Sequence, residues 1–181
     1  MKHLGTKELY SKRLLLRKII EADAEEIYNG FINQEEFLYY ANKQKRTLEE
    51  EKESLVGIDA KYQKSDYYNW LITLKDTKAI IGSINANIFK CDSVIFNYAI
   101  DNRYTKKGYM TEALDLVINF FLEDVKLDKV YCGCVTGNAA SKKVMENNNM
   151  KLEKVIPKHV ELSDGLHDMY LYSKEKIKYI E

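Results

Sequence analysis

The hydrophobic period of this chain switches along its length, and the switches limit what it can fold into. From Tyr67 onward apolar and polar residues alternate. Trp70, Ile72 and Leu74 share one side of a segment that ends in the polar turn Lys75-Asp76-Thr77-Lys78. Two more strands are expected over 79–89 and 94–100, joined by Lys90-Cys91-Asp92-Ser93. A period of two marks half-buried strands, so the middle of the chain reads as an antiparallel meander. Past it the period becomes helical: Met110, Ala113, Leu114, Val117, Ile118, Phe121 and Leu122 recur on one helix face.

The flanking segments extend the pattern. Leu14-Leu15-Leu16-Arg17-Lys18 reads as a strand, and 23–32 as a helix carrying Ala24, Ile27 and Phe31. Thr47-Leu48-Glu49-Glu50 has the form of a capping box, in which the hydroxyl and the later carboxylate each satisfy an orphan backbone N–H. Leu48, Leu55, Ile58 and Tyr62 then predict one helix to about residue 64. A strand over 130–135, a helix over 138–148 and strands over 151–156 and 166–173 follow. Strands with interspersed helices in this order predict an α/β (α+β) domain with a mixed sheet. With Pro157 the only proline and no Gly/Ser-rich linker, residues 1–181 are expected to form one domain.

Composition excludes some functions. Lysine plus arginine and aspartate plus glutamate both number 28, so the basic excess of a general nucleic-acid binder is missing. No stretch approaches the roughly 18 apolar residues of a membrane span, and the N-terminus lacks the apolar run of a signal peptide. Cys91, Cys132 and Cys134 are too few and too irregular for a disulfide framework. A cytoplasmic protein is expected, with neither membrane nor nucleic acid as partner.

The chemistry concentrates between the last meander strand and the long helix. Thr105-Lys106-Lys107-Gly108-Tyr109-Met110-Thr111-Glu112-Ala113 is a strand-to-helix turn with one glycine and two lysines. Such a turn aims free backbone N–H groups at one point, and the helix dipole adds positive character there, as a pyrophosphate requires. Gly108 would let the backbone come close, and Lys106 and Lys107 would add counter-charge. The plainer alternative is a solvated basic turn that caps a helix. The run is neither a Walker A loop nor a dinucleotide fingerprint.

The segment from Asn97 to Leu114, with its Gly108-Tyr109-Met110-Thr111-Glu112-Ala113 string, resembles the acetyl-CoA signature of the GNAT acetyltransferase superfamily. It looks most like the branch of Rim-type ribosomal-protein N-terminal acetyltransferases. Two later stretches fit the same branch. Val135-Thr136-Gly137-Asn138-Ala139-Ala140-Ser141 with Asn149-Met150 resembles its strand, Asn-x-x-Ser helix and closing Gly-Phe, with Asn149 and Met150 as the departures. Asparagine is the next-best residue for a left-handed helix end. Gly165-Leu166-His167-Asp168 with Tyr172 resembles its last hairpin. The resemblance spans about residues 10–174 and implies the GNAT fold: a mixed, mostly antiparallel, splayed sheet of about seven strands flanked by about four helices.

It also implies roles. The backbone of Lys106, Lys107, Gly108, Tyr109, Met110 and Thr111 would hold the pyrophosphate of acetyl-CoA, the co-substrate. Tyr98, Ala99 and Ile100 would line the pantetheine arm where two parallel strands part. Asn138 would meet the cofactor near its thiol end, or cap the helix it precedes. Ser141 would be the acid that serves the leaving thiolate, because Met145 occupies the position where many relatives carry a tyrosine. Glu161, before the last hairpin, would be the base, with Asp168, Tyr98 or a water chain as alternatives. No metal is called for. The acceptor would be a primary amine, on a protein N-terminus or a small molecule, and the branch suggests a homodimer.

The chemistry itself asks for little. An α-amine titrates near about 8 and a thiol near about 8.5, so neither deprotonation nor thiolate departure needs strong assistance. Positioning and backbone donors can carry most of the rate. Cys132 and Cys134 share one strand face and read as buried structural thiols. The absence of a strand glutamate near Asn97 and the methionine at 145 leave one rival reading, a CoA-binding sensor without turnover.

Overall fold

The computed structural model describes residues 2–89 and 93–177. Among them, eight strands form one open sheet: β1 (Leu9–Tyr10), β2 (Leu14–Arg17), β3 (Tyr68–Leu74), β4 (Ile80–Phe89), β5 (Ser93–Ile100), β6 (Lys129–Val135), β7 (Lys151–Leu162) and β8 (Gly165–Glu175). Their order is β1-β2-β3-β4-β5-β6-β8-β7. The expected meander is β3, β4 and β5, paired antiparallel through the expected alternation; residues 90–92 of its second turn lie outside the described residues. All pairings are antiparallel except β5 with β6.

Six α-helices are described: α1 (Ala24–Asn29), α2 (Glu35–Tyr40), α3 (Leu48–Leu55), α4 (Ile58–Lys61), α5 (Tyr109–Asn119) and α6 (Ala139–Asn147). The capping box forms as read: Glu50 N donates to Thr47 Oγ1 (3.2 Å) and Thr47 N to Glu50 Oε2 (2.8 Å). The single helix expected beyond it does not. Val56 is extended and Gly57 left-handed at φ 69°, and Gly57 N donates to Glu21 Oε1 at 2.8 Å, so α3 and α4 are separate. Asn149 ends α6 at φ 57°, donating to the Glu146 carbonyl at 2.9 Å, which is the left-handed role expected of it.

The two sheet faces bury different helices. On one, Met110, Ala113, Leu114, Val117 and Ile118 of α5 and Met145 of α6 pack with Leu14, Leu16, Trp70, Ile84 and Phe96. Trp70 and Tyr68 pack edge-to-face against Phe120 and Phe121 in the π-helical turn that extends α5. Each such large apolar side chain, fully buried, contributes about 1.5–3 kcal/mol. On the other face, Ile19, Ile27, Phe31, Leu55 and Ile58 cover Leu71 and Ile80. Tyr62 braces this layer, its hydroxyl accepting from Ile19 N and donating to the Asn69 carbonyl, both at 2.9 Å.

The close contact of β4 with β5 depends on one missing side chain. Gly82 pairs with Ile100, and a Cβ there would lie 2.3 Å from the Ala99 carbonyl oxygen. Beyond this point Asp101, fully buried, accepts from Arg103 N and pairs with the Arg103 guanidinium. Burial works against that charge, but the hydrogen bonds from Arg103 prevail and hold the carboxyl below its usual range. The chain is thereby turned toward the start of α5.

Candidate active site

β5 and β6 run parallel but touch as a ladder only at Ile95–Tyr131 and Phe96–Cys132. Past those pairs the strands diverge and a slit opens between 97–100 and 133–135. Asp101 N donates to the Ile81 carbonyl at 2.8 Å, and the Ala99 carbonyl faces Gly82. Strand alternation therefore turns the backbone groups of Tyr98 and Ile100 away from β4, into the slit. Their N–H and C=O groups form a short unpaired edge inside the protein.

The start of α5 lies in the same cleft. Lys106 and Gly108 are both left-handed, at φ 59° and 78°, and this pair of reversals turns successive amides to one side. The first hydrogen bond of the helix is from Glu112 N to the Gly108 carbonyl at 3.1 Å. The backbone N–H groups of 106–111 have no acceptor among the described residues. Arg13 holds the turn from outside: Nη1 donates to the Lys107 carbonyl at 3.0 Å, Nε to Glu112 Oε2 at 2.7 Å, and the guanidinium lies 4.4 Å from the Tyr109 ring centre. Glu112 also accepts from Ser11 Oγ and Arg13 N. Burial opposes the Glu112 charge, yet these donors keep its carboxyl below the ordinary range.

One cleft of about 1410 Å³ joins the slit, this turn and the first turn of α6. Tyr98, Ala99, Ile100, Lys106, Gly108, Tyr109, Met110, Thr111, Asn138 and Ser141 all line it. Lys107 does not: its ammonium folds back, 3.0 Å from the Arg103 carbonyl and 5.3 Å from the Tyr104 ring centre. It supplies the turn with backbone rather than a cleft-facing charge. Asn138, half-buried, caps α6, its Oδ1 accepting from Ser141 N at 2.9 Å, and also lines the cleft.

Glu161 stands apart. It is exposed on β7 opposite Leu166 and is not among the cleft-lining residues. The sequence suggested that β7 stops near 156, but it continues to Leu162 as an edge strand. Register shifts around Pro157 and the left-handed Lys158 accommodate the missing N–H. Asp168 is engaged in this hairpin, accepting from Lys158 N at 2.9 Å. Burial raises the Tyr98 hydroxyl well above 10, which keeps it protonated and makes it a donor rather than a base near neutral pH. Met145 is fully buried in the core. The carboxylates that do line the cleft are Glu36 and Glu51, and Glu51 is buried against Arg46 at 2.9 Å.

Sequence reasoning missed the Arg13–Glu112 brace, Gly82 and all of α2, whose Glu36, Phe37 and Tyr40 wall the cleft. The brace joins residues 99 apart in sequence, and no local pattern announces it. Cys132 and Cys134 are free and buried, as expected, whereas Cys91 lies outside the described residues. Burial pushes their thiols up to about 12 and about 11. Both stay protonated through neutral pH, so iodoacetamide at pH 8 is expected to leave them unmodified until the protein is denatured; peptide mapping reads this directly. No helix among the described residues is long and apolar enough to cross a membrane.

Comparison with known proteins agrees with this geometry. An N-acetyltransferase of Bacillus subtilis (strain 168), YoaA, described as uncharacterized, is 26% identical over 167 residues, covering 91% of this chain and 94% of that protein. Among solved structures, an acetyltransferase from Salmonella typhimurium that modifies the N-terminal serine of ribosomal protein L7/L12 superposes with a TM-score of 0.81 at 17% identity, over 94% of this chain and 100% of the other. The microcin C7 self-immunity acetyltransferase MccE, solved with acetyl-CoA and AMP, gives 0.80 at 19% identity, over 92% and 94%. The family model for the acetyltransferase (GNAT) domain matches residues 13–151. With a parted β5–β6 pair and an amide-lined turn inside that matched region, the chain belongs to the GNAT acetyltransferase family.

Proposed function

We propose that this protein transfers the acetyl group of acetyl-CoA to a primary amine, on a protein N-terminus or a small molecule, by direct attack within a ternary complex. One observation carries the reading: unpaired amides at the start of α5 open into the same cleft as the unpaired strand edge of β5. A pyrophosphate needs the first and an amide-bearing arm such as pantetheine fits the second. The open amides and the left-handed Gly108 suit a diphosphate as they stand.

The residues then divide the task. The backbone of 106–111 binds the diphosphate, with Lys106 adding charge, and Tyr98 and Ile100 pair with the arm as an added strand would. Asn138 and Ser141, at the positive end of α6, face the thioester end. The amine forms its bond to the acetyl carbon, the carbon–sulfur bond breaks, and the electron pair leaves on sulfur. Ser141 donates a hydrogen bond to that thiolate. The proton shed by nitrogen passes to water, with Glu36, the cleft-lining carboxylate not paired with Arg46, as a candidate to assist. Glu161 is left out of the base role because it stands exposed and off the cleft. In this reading the enzyme works in a reducing cytoplasm, which suits the free thiols of Cys132 and Cys134, and forms a homodimer, which sedimentation reads directly.

The test is thiol release from acetyl-CoA against free amino acids, polyamines, aminoglycosides and N-terminal peptides. Turnover is expected with at least one class, rising with pH through the acceptor's own pKa, near about 8 for an α-amine. Glu161→Gln should stay within about two-fold of the parent, the ordinary effect of an exposed substitution. Acetyl-CoA binding without release for any amine would instead mark a sensor.

A further inference from the structure

Tyr98 stands on β5 two residues past its last pairing with β6, and its side chain reaches the first turn of α6. Its hydroxyl lies 3.1 Å from the Ser141 carbonyl and 3.0 Å from Ser141 Oγ. A carbonyl only accepts, so the single phenol proton goes to it. The serine must then donate its own proton to the phenol oxygen. Ser141 Oγ–H is therefore aimed at the phenol oxygen, and one side chain on a different element decides where it points.

We infer that Tyr98 is a positioning residue for acetyl transfer, acting through Ser141: its phenol holds the serine hydroxyl ready and re-aims it when the thiolate forms. The inference rests on the transfer reading above. As the carbon–sulfur bond breaks, the pair of electrons stays on sulfur. Ser141 Oγ–H turns to the sulfur, and the phenol proton turns from the Ser141 carbonyl to Ser141 Oγ. Both moves are rotations about C–O bonds, and neither oxygen loses its hydrogen. The proton that finally neutralises the thiolate is the one released by the acceptor nitrogen, carried by water. The resulting chain, phenol to serine to sulfur, is stronger than an isolated serine hydrogen bond because each donor polarises the next.

The surroundings favour a donor over an ionising group. Burial raises the phenol well above 10, and an ordinary free thiol titrates near about 8.5, so the phenol remains protonated while the departing thiolate is present. Besides Ser141, Cys132 and Cys134 of β6 act on it, and both thiols are themselves held neutral by burial.

A double-mutant cycle tests this. Kinetics are measured on the full chain for the parent, Tyr98→Phe, Ser141→Ala and the pair, with melting temperature as the check on folding. Tyr98→Phe is expected to lower kcat about 10-fold, the worth of one hydrogen bond, and to leave the acetyl-CoA KM within about two-fold. The double variant should match Ser141→Ala within about two-fold, because the phenol has nothing left to aim. An unchanged kcat for Tyr98→Phe overturns the inference, and so do losses that multiply in the double variant. A raised KM with a lowered melting temperature overturns it too, since that pattern marks a structural role. A parent that binds acetyl-CoA but acetylates no amine is a separate outcome, and it removes the transfer reading itself.

Discussion

Gly108→Val is expected to raise the acetyl-CoA KM by about 10²-fold, with a much smaller fall in kcat. Position 108 sits at φ 78°, where a β-branched side chain costs roughly 1–2 kcal/mol or more. The backbone has one escape, a return toward negative φ, and it swings the amides of 108–111 away from their common point. A Cβ at 108 would stand in ordinary contact with Arg13, 3.5 Å from Nη2, so any shift of the backbone there also disturbs the guanidinium that holds the Lys107 carbonyl and Glu112. Two or three weakened charge-assisted hydrogen bonds account for the expected loss. Titration calorimetry with CoA and initial rates at varied acetyl-CoA should agree. An unaltered KM would show that the turn merely caps a helix.

The largest stability effect is expected from Gly82→Ala, a loss of about 3 kcal/mol, the upper end for over-filling a packed interior. The added methyl would begin 2.3 Å from the Ala99 carbonyl and 3.0 Å from the Ile100 Cα. Both are backbone, with no flexible tip to give way, so β5 itself must move. For a domain of 181 residues this corresponds to about 6–12 °C in melting temperature. The shift has one open direction, into the slit, so acetyl-CoA affinity should fall along with stability. Gly137→Ala is the control. It introduces the same methyl at a point where nothing lies within 4 Å, and it should change the melting temperature by no more than about 1–2 °C. If both variants melt alike, the contact with Ala99 does not constrain β5.

The sequence made some parts of this molecule legible because one physical requirement dominated locally. The meander showed itself because each of its strands buries alternate residues. α5 was plain because Met110, Ala113, Leu114, Val117 and Ile118 all face one core. The capping box and the Asn149 terminus were readable because they are closed within a few residues. β1 escaped because two residues display no period, and α2 because its six residues bury none of their number fully. The break at Gly57 was hidden by an apolar stripe that runs on through Ile58 and Tyr62 regardless of the kink. In the cleft, the turn residues were legible as a string, while the fate of each side chain was not. Lys107 turning back onto Tyr104 and Glu161 standing off the cleft are decided by partners distant in sequence. The Tyr98–Ser141 contact spans 43 residues, and neither end carries a local sign of the other.

The seam between β5 and β6 is closed by only two residue pairs, so the sheet is in effect two panels, five strands and three, sharing a short spine. A molecule lodged along the parted edges would mend the panels as a splint mends a split board. Its grip on the protein and the protein's resistance to unfolding would then be a single quantity. At a hundred times its dissociation constant, such a guest adds about 2.7 kcal/mol to the folded state. Cellular abundance of the acyl donor would thus govern the lifetime of its own catalyst as well as its speed.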